Sequence, residues 1–143
     1  MRLLLDTNVV VAALLWNGPP RRLLERAVDP DVEFFSSRVL IDELAHTLNY
    51  AKFAPRVNGF GTTVDQLVAH YAALVSLVTP TALPRVVIND PDDDHVIAAA
   101  MAARAALIVT GDRRHLLPMG SHEGIRIVTA GQALASVGVS GSA

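Results

Sequence analysis

Residues 1–16 read MRLLLDTNVVVAALLW. Within them Arg2–Leu5 is a short apolar run that stops abruptly at Asp6, with no alternation of polar and apolar side chains. Such continuous runs suit strands buried on both faces of a parallel sheet, whereas half-exposed strands alternate. The same form recurs at Ala106–Val109 and, apart from Arg126, at Ile125–Val128. Val32–Phe35 is a weaker strand of this kind, and Val86–Ile88 reads as a short strand or an extended lead-in. Helical patterns fall between the runs. Thr63-Val-Asp-Gln66 has the form of a capping box, after which Val64, Leu67, Val68, Tyr71, Leu74, Val75 and Val78 keep helical spacing. Asp90 followed by Pro91 reads as an N-cap and first helical residue, opening a helix to about Ala103. Ser37–Leu48 and Pro20–Val28 also read as helices, while Tyr50–Gly61, with Pro55 and two glycines, reads as a loop. Strands alternating with helices predict an α/β fold with a mainly parallel sheet and right-handed crossovers.

The chain has 143 residues, near the commonest domain size. Apolar types make up 51% and charged types 18%, a balance that excludes intrinsic disorder. Without cysteine, disulfide frameworks, thiolate metal sites and cysteine nucleophiles are all excluded. The longest apolar runs, Val9–Trp16 and Val96–Ala103, fall far short of the ~20 residues of a membrane span. Asp6 and Asn8 interrupt what would otherwise be the apolar region of a signal peptide. These features predict a soluble, cytoplasmic single domain over residues 1–137, with a loose small-residue tail at 138–143. The net charge of −2 argues against a simple electrostatic nucleic-acid binder. Four of the fourteen acids, however, crowd into Asp90–Asp94, and arginines pair at Arg21–Arg22 and Arg113–Arg114.

Functional groups of open α/β sheets lie beyond the carboxyl ends of the strands. Asp6 directly follows Leu3–Leu5, and Asp112 follows Leu107–Val109 through Thr110 and Gly111, where glycine permits a tight turn. Either acid can instead cap the helix after it. Glu43 is singled out by helical geometry. Arg38, Asp42, His46 and Asn49 form one polar row, which gives Asp42 a solvated face. Glu43 lies on the row Val39–Glu43–Thr47 beside Leu40 and Leu44, where a desolvated carboxylate needs a metal or an arginine. Acids in a first helical turn complement the macrodipole, but four within five residues repel unless a cation offsets them. His95 beside them reads as an ion-pair partner, and His46, His70, His115 and His122 show no zinc-ligand spacing. Asp6, Glu43, Asp93 or Asp94, and Asp112 therefore form an all-oxygen donor set of the kind that suits Mg²⁺ or Mn²⁺. Such an ion activates water and neutralises a phosphodiester, which points to metal-dependent phosphoester hydrolysis.

Four stretches carry a family resemblance: LLLDTNVVVAALL (3–15), SSRVLIDEL (36–44), DPDDDHVIAAAMAARAALIVTGDRRHL (90–116) and IRIVTAGQAL (125–134). In this order and spacing the chain resembles a PIN-domain ribonuclease of the kind found as VapC-like toxins of type II toxin–antitoxin pairs. The resemblance implies a PIN-like, Rossmann-like three-layer fold with a central sheet of about five strands flanked by helices. It matches Asp6, Glu43 and Asp112 to the first, second and fourth family acids. Counting back from Asp112 puts Asp94 third, while the DPxD pattern of a subgroup selects Asp93, which stays as the alternative. Thr7, Asn8 and Thr110 match small polar residues that orient these acids or bind water, or else serve in caps and turns. The family further implies Mg²⁺ or Mn²⁺ in the acidic pocket and endonucleolytic cleavage of single-stranded RNA by metal-activated water. It also implies a homodimer and a cognate antitoxin whose tail blocks the site. Arg21, Arg22, Arg113 and Arg114 are candidate phosphate contacts.

Competing readings are weaker. A haloacid-dehalogenase-like phosphatase needs a second Asp two residues after the first, where Asn8 stands. A response-regulator receiver needs a lysine after a late strand, and the single lysine, Lys52, comes early. The remaining rival is a catalytically quiet PIN fold that binds RNA or protein. Single-strand binders show aromatic platforms amid basic residues. Aromatics are only 5% of this chain, and Phe34, Phe35, Phe53, Phe60, Tyr50 and Tyr71 form no basic–aromatic stripe along it.

Overall fold

In the computed structural model, which describes residues 1–81 and 91–141, the run Arg2–Leu5 is strand β1. Helices α1 (Thr7–Leu15) and α2 (Pro19–Leu24) follow, then strand β2 (Glu33–Ser37) and helices α3 (Arg38–Leu48), α4 (Ala54–Gly59) and α5 (Val64–Leu74). Strand β3 (Val75–Val78), helix α6 (Pro91–Ala103), strands β4 (Leu107–Val109), β5 (Ser121–His122) and β6 (Ile125–Val128), and helix α7 (Ala130–Gly141) complete the fold. The sheet order is β3-β2-β1-β4-β6-β5, parallel throughout except for β5 against β6. Glu123 and Gly124, both at positive φ (51° and 81°), make the tight turn of that hairpin, as its right-handed twist requires.

All of Leu3, Leu4 and Leu5 are buried, which is why β1 is apolar at consecutive positions. Leu3 and Leu5 pack with α1, α2, α5 and α7 on one face of the sheet; Leu4 packs with Val96, Ile97 and Ala100 of α6 on the other. Helix–sheet–helix layering results, as expected, around six strands rather than about five.

Several local expectations hold. Ser37 caps α3 by accepting the Leu40 N–H (3.3 Å). The Thr63–Gln66 capping box forms, with both reciprocal bonds present. Helix α6 starts at Pro91; Asp90 and the candidate strand Val86–Ile88 lie outside the described residues. Others do not hold. The apolar periodicity after Thr63 continues to Val78, but the helix stops at Leu74 and Val75–Val78 pairs with β2 as an edge strand. Valines favour a pleated surface, and their spacing fits either structure at so short a length. Tyr50–Gly61 is not a loop: it holds a 3-10 turn at Ala51–Phe53 and then α4, whose first turn accommodates Pro55 because no N–H is needed there. Pro20–Val28 is divided between α2 and a 3-10 turn at Glu25–Val28. Helix α7 runs through residues 138–141, beyond the expected start of the tail, and residues 142–143 lie outside the described set. No described helix is long and apolar enough to cross a membrane.

Candidate metal centre

After β1 the chain builds β2 and β3 to one side, then returns to place β4 on the other side of β1. The gap between the carboxyl ends of β1 and β4 is thus a topological switch point, where α/β sheets open a crevice. Asp6 stands at the end of β1 and Asp112 just beyond β4. The Asp6 N–H donates to the Val109 carbonyl (2.9 Å), joining the two strand ends. Thr110, only 1% exposed, links the acids directly: its hydroxyl donates to Asp6 Oδ2 (2.7 Å) and accepts the Asp112 N–H (3.0 Å).

The two acids differ in their local bonding. The Asp6 side chain makes no cap bond to α1, although its carbonyl accepts the Val9 and Val10 N–H groups, so capping does not account for this carboxylate. Asp112 does organise the turn after it, accepting the N–H of Arg114 (2.9 Å) and His115 (3.1 Å) on Oδ1 and of Leu116 (3.3 Å) on Oδ2. Burial pushes the Asp112 carboxyl up, but hydrogen bonds from the Asp93 carboxyl and from these three backbone N–H groups outweigh it and hold the group below its ordinary range. Gly111 is not at positive φ, and a Cβ there would meet open space. The turn is therefore set by the Thr110–Asp112 bond, a hydroxyl-to-backbone turn, rather than by glycine's freedom.

Asp6, Asn8, Glu43, Asp93, Asp112, Arg114 and His115 line one cleft of about 340 Å³. Glu43 arrives half-buried from α3 while its neighbour Asp42 is exposed, as the helical rows require. Asp93, on α6, is buried and lines the cleft; Asp94, also buried, is not among its lining residues. Thr7 is buried away from the cleft lining, and its hydroxyl has no hydrogen-bond partner among the described residues. Of the four arginines, Arg114 alone lines the cleft. Arg22 and Arg113 are exposed elsewhere, and Arg21 closes the C-terminus of α1, donating to the carbonyls of Ala13 (3.1 Å) and Leu14 (2.9 Å).

Two features escaped sequence reasoning. His115 places Nδ1 3.6 Å from Asp93 Oδ2 and 3.7 Å from Asp112 Oδ2. The donor atoms of these three residues all lie within 4.8 Å of one another. Spacing could not reveal this, because the partner from α6 is distant in the chain. The aromatics also gather in space. Trp16 meets Phe53 edge-on (5.9 Å between centroids), Tyr50 stacks on Phe53 (6.5 Å), and Arg56 lies over Trp16 and Phe60 at 5.6 and 4.8 Å. Lys52 sits over Phe53 (5.1 Å), and Trp16, Tyr50 and Phe60 are exposed. The expectation of no basic–aromatic stripe is thus corrected: Tyr50, Lys52, Phe53, Arg56 and Phe60 interleave within residues 50–60, and Trp16 at the end of α1 joins them to make a patch.

The model of the PIN domain family matches residues 2–114. The chain belongs to the PIN domain family. Its fold is similar to that in the crystal structure of PAE2754 from Pyrobaculum aerophilum, with a TM-score of 0.66 over 97% of this chain and 90% of that one, at 14% identity. No curated protein matches the sequence. PIN domains are generally metal-dependent nucleases. The cleft fits that chemistry: carboxylates from four separate elements line it, two of them, Asp93 and Asp112, gathered with His115 within 4.8 Å, and hard oxygen donors suit Mg²⁺ and Mn²⁺. Within this PIN domain, His115 falls one residue beyond the family match, whereas every other residue lining the cleft falls inside it.

Proposed function

We propose that this PIN domain is a metal-dependent endoribonuclease that cleaves single-stranded RNA as the cytoplasmic, VapC-like toxin of a type II toxin–antitoxin pair. The observation that carries the reading is the convergence of Asp6, Glu43, Asp93 and Asp112 in one cleft at the β1–β4 switch point. These four acids would hold Mg²⁺ or Mn²⁺. Asp93 takes the third place because it lines the cleft and Asp94 does not. When bound, the ion supplies Lewis acidity for a water nucleophile and charge against the phosphodiester. Thr110 keeps Asp6 and Asp112 in register, Asn8 offers a hydrogen bond at the cleft edge, and Arg114 supplies a guanidinium for phosphate. The Trp16–Tyr50–Phe60 patch with Lys52 and Arg56 offers unpaired bases a stacking surface, which supports a single-stranded substrate. A homodimer and an antitoxin tail lying in the cleft belong to the same reading, on the family resemblance alone.

The test is cleavage of a mixed-sequence single-stranded RNA by purified protein with Mg²⁺, with Mn²⁺ and with EDTA. Metal-dependent cleavage that disappears in Asp93→Asn is the expected result. RNA binding without cleavage under any metal would replace it with the binding-module reading, and a loss of binding in Trp16→Ala would then place the RNA on the patch.

A further inference from the structure

We infer that His115 is a nitrogen ligand of the cation held in this cleft, and that it biases the site toward Mn²⁺ over Mg²⁺. The inference rests on the metal-site reading above. His115 Nδ1 faces one carboxylate oxygen of Asp93 and one of Asp112, at 3.6 and 3.7 Å. Adjacent donors on a six-coordinate ion with bonds of about 2.0–2.2 Å stand roughly 3 Å apart and opposite ones roughly 4 Å, the range in which Nδ1 stands from both oxygens, and all three donors lie within 4.8 Å of one another. The backbone is already organised for it: the His115 N–H is held by Asp112 Oδ1 (3.1 Å), so the turn that positions the acid also positions the imidazole. The side chain remains 31% exposed, leaving the position open to water and ions.

Chemistry gives the ligand a consequence. Carboxylate and water suit both Mg²⁺ and Mn²⁺, but Mn²⁺, a first-row transition metal, accepts an imidazole nitrogen more readily than the harder Mg²⁺, so one nitrogen among the oxygens tilts the site toward Mn²⁺. The competing role for the same geometry is an ion-pair partner, with imidazolium occupying the place of the cation. That role brings no nitrogen to the metal.

Electron spin-echo spectroscopy of the whole protein loaded with Mn²⁺ separates the two. Nitrogen-14 modulation on the bound Mn²⁺ is expected in the native chain and its loss in both His115→Ala and His115→Gln. Mn²⁺ affinity, titrated by free-ion signal, should fall about tenfold or more in both variants, while Mg²⁺ affinity, measured by competition, changes far less. Bound Mn²⁺ without nitrogen modulation, or modulation that persists in both variants, overturns the inference and leaves a carboxylate site standing. Mn²⁺ binding that is absent, or unaffected by Asp93→Asn and Asp112→Asn, overturns the metal-site reading and this inference with it.

Discussion

Thr110→Val isolates the device that holds the two strand-end acids together. Valine is nearly isosteric with threonine, and at 1% exposure the position is dry, so the change removes a hydroxyl from a closed site without opening a cavity. Two hydrogen bonds go with it, one to the carboxylate of Asp6 (2.7 Å) and one from the N–H of Asp112 (3.0 Å). A bond to a charged group contributes about 1.5–3 kcal/mol and a neutral one about 0.5–1.5 kcal/mol. The gain in apolar surface offsets part of that sum, leaving an expected loss of about 2–4 kcal/mol. A domain of this size holds about 5–15 kcal/mol, so the variant stays folded and its loss is measurable by urea unfolding in metal-free buffer. Thr110→Ser, which keeps the hydroxyl and gives up one methyl, should lose no more than about 1.5 kcal/mol. In the Asp6→Asn background the cost of Thr110→Val should shrink by about 1 kcal/mol, because the bond removed is no longer charge-assisted. Thr110→Val as stable as Thr110→Ser, or a cost unchanged by Asp6→Asn, would refute the bridging role.

Three further outcomes are expected. Asp93→Asn should abolish metal-dependent RNA cleavage with the fold retained by circular dichroism, while Asp94→Asn should retain turnover and act on stability, since Asp94 is buried off the cleft lining; equal losses of turnover would return the third position to both acids. Asp112→Asn should be less stable than the native chain at neutral pH without metal. Because the folded state holds the Asp112 carboxyl low, the stability it adds is complete above the ordinary carboxylate range and fades as pH falls below about 4, so the gap between the two proteins should narrow on acidification. Urea titrations at neutral and acidic pH read this directly, and a gap independent of pH contradicts it. Tyr71→Phe removes a buried hydroxyl that has no hydrogen-bond partner among the described residues, so stability should be unchanged or rise by up to about 1 kcal/mol; a clear loss would mean the hydroxyl is bonded.

Much of the fold is legible in the chain because its signals are local. Three leucines in a row, then Asp6, is a statement about burial on both faces of a strand, and Ser37 and the Thr63–Gln66 box mark helix starts through bonds spanning three residues. Sequence and structure part where a local pattern fits two conformations. Val75–Val78 satisfies helical spacing and strand preference alike, and only the vacant edge of β2 makes it a strand. Pro55 and two glycines suggest a loop, yet a proline in a first helical turn is compatible with α4.

For the site, the sequence by itself determined which acids were candidates and why Glu43 differs from Asp42, because the angle between neighbours on a helix is a property of one element. Only the tertiary structure distinguished Asp93 from Asp94 by their place at the cleft. Adjacent residues share every sequence signal, and the docking of α6 against the sheet determines which one reaches the β1–β4 opening. The same holds for His115 and for the place of Trp16 in the aromatic patch. Asp93 reaches His115, and Trp16 reaches Phe53 and Arg56, from distant elements, and such proximity is set by how layers pack; the Tyr50–Phe53, Lys52–Phe53 and Arg56–Phe60 contacts within 50–60 are local and follow from spacing along the chain.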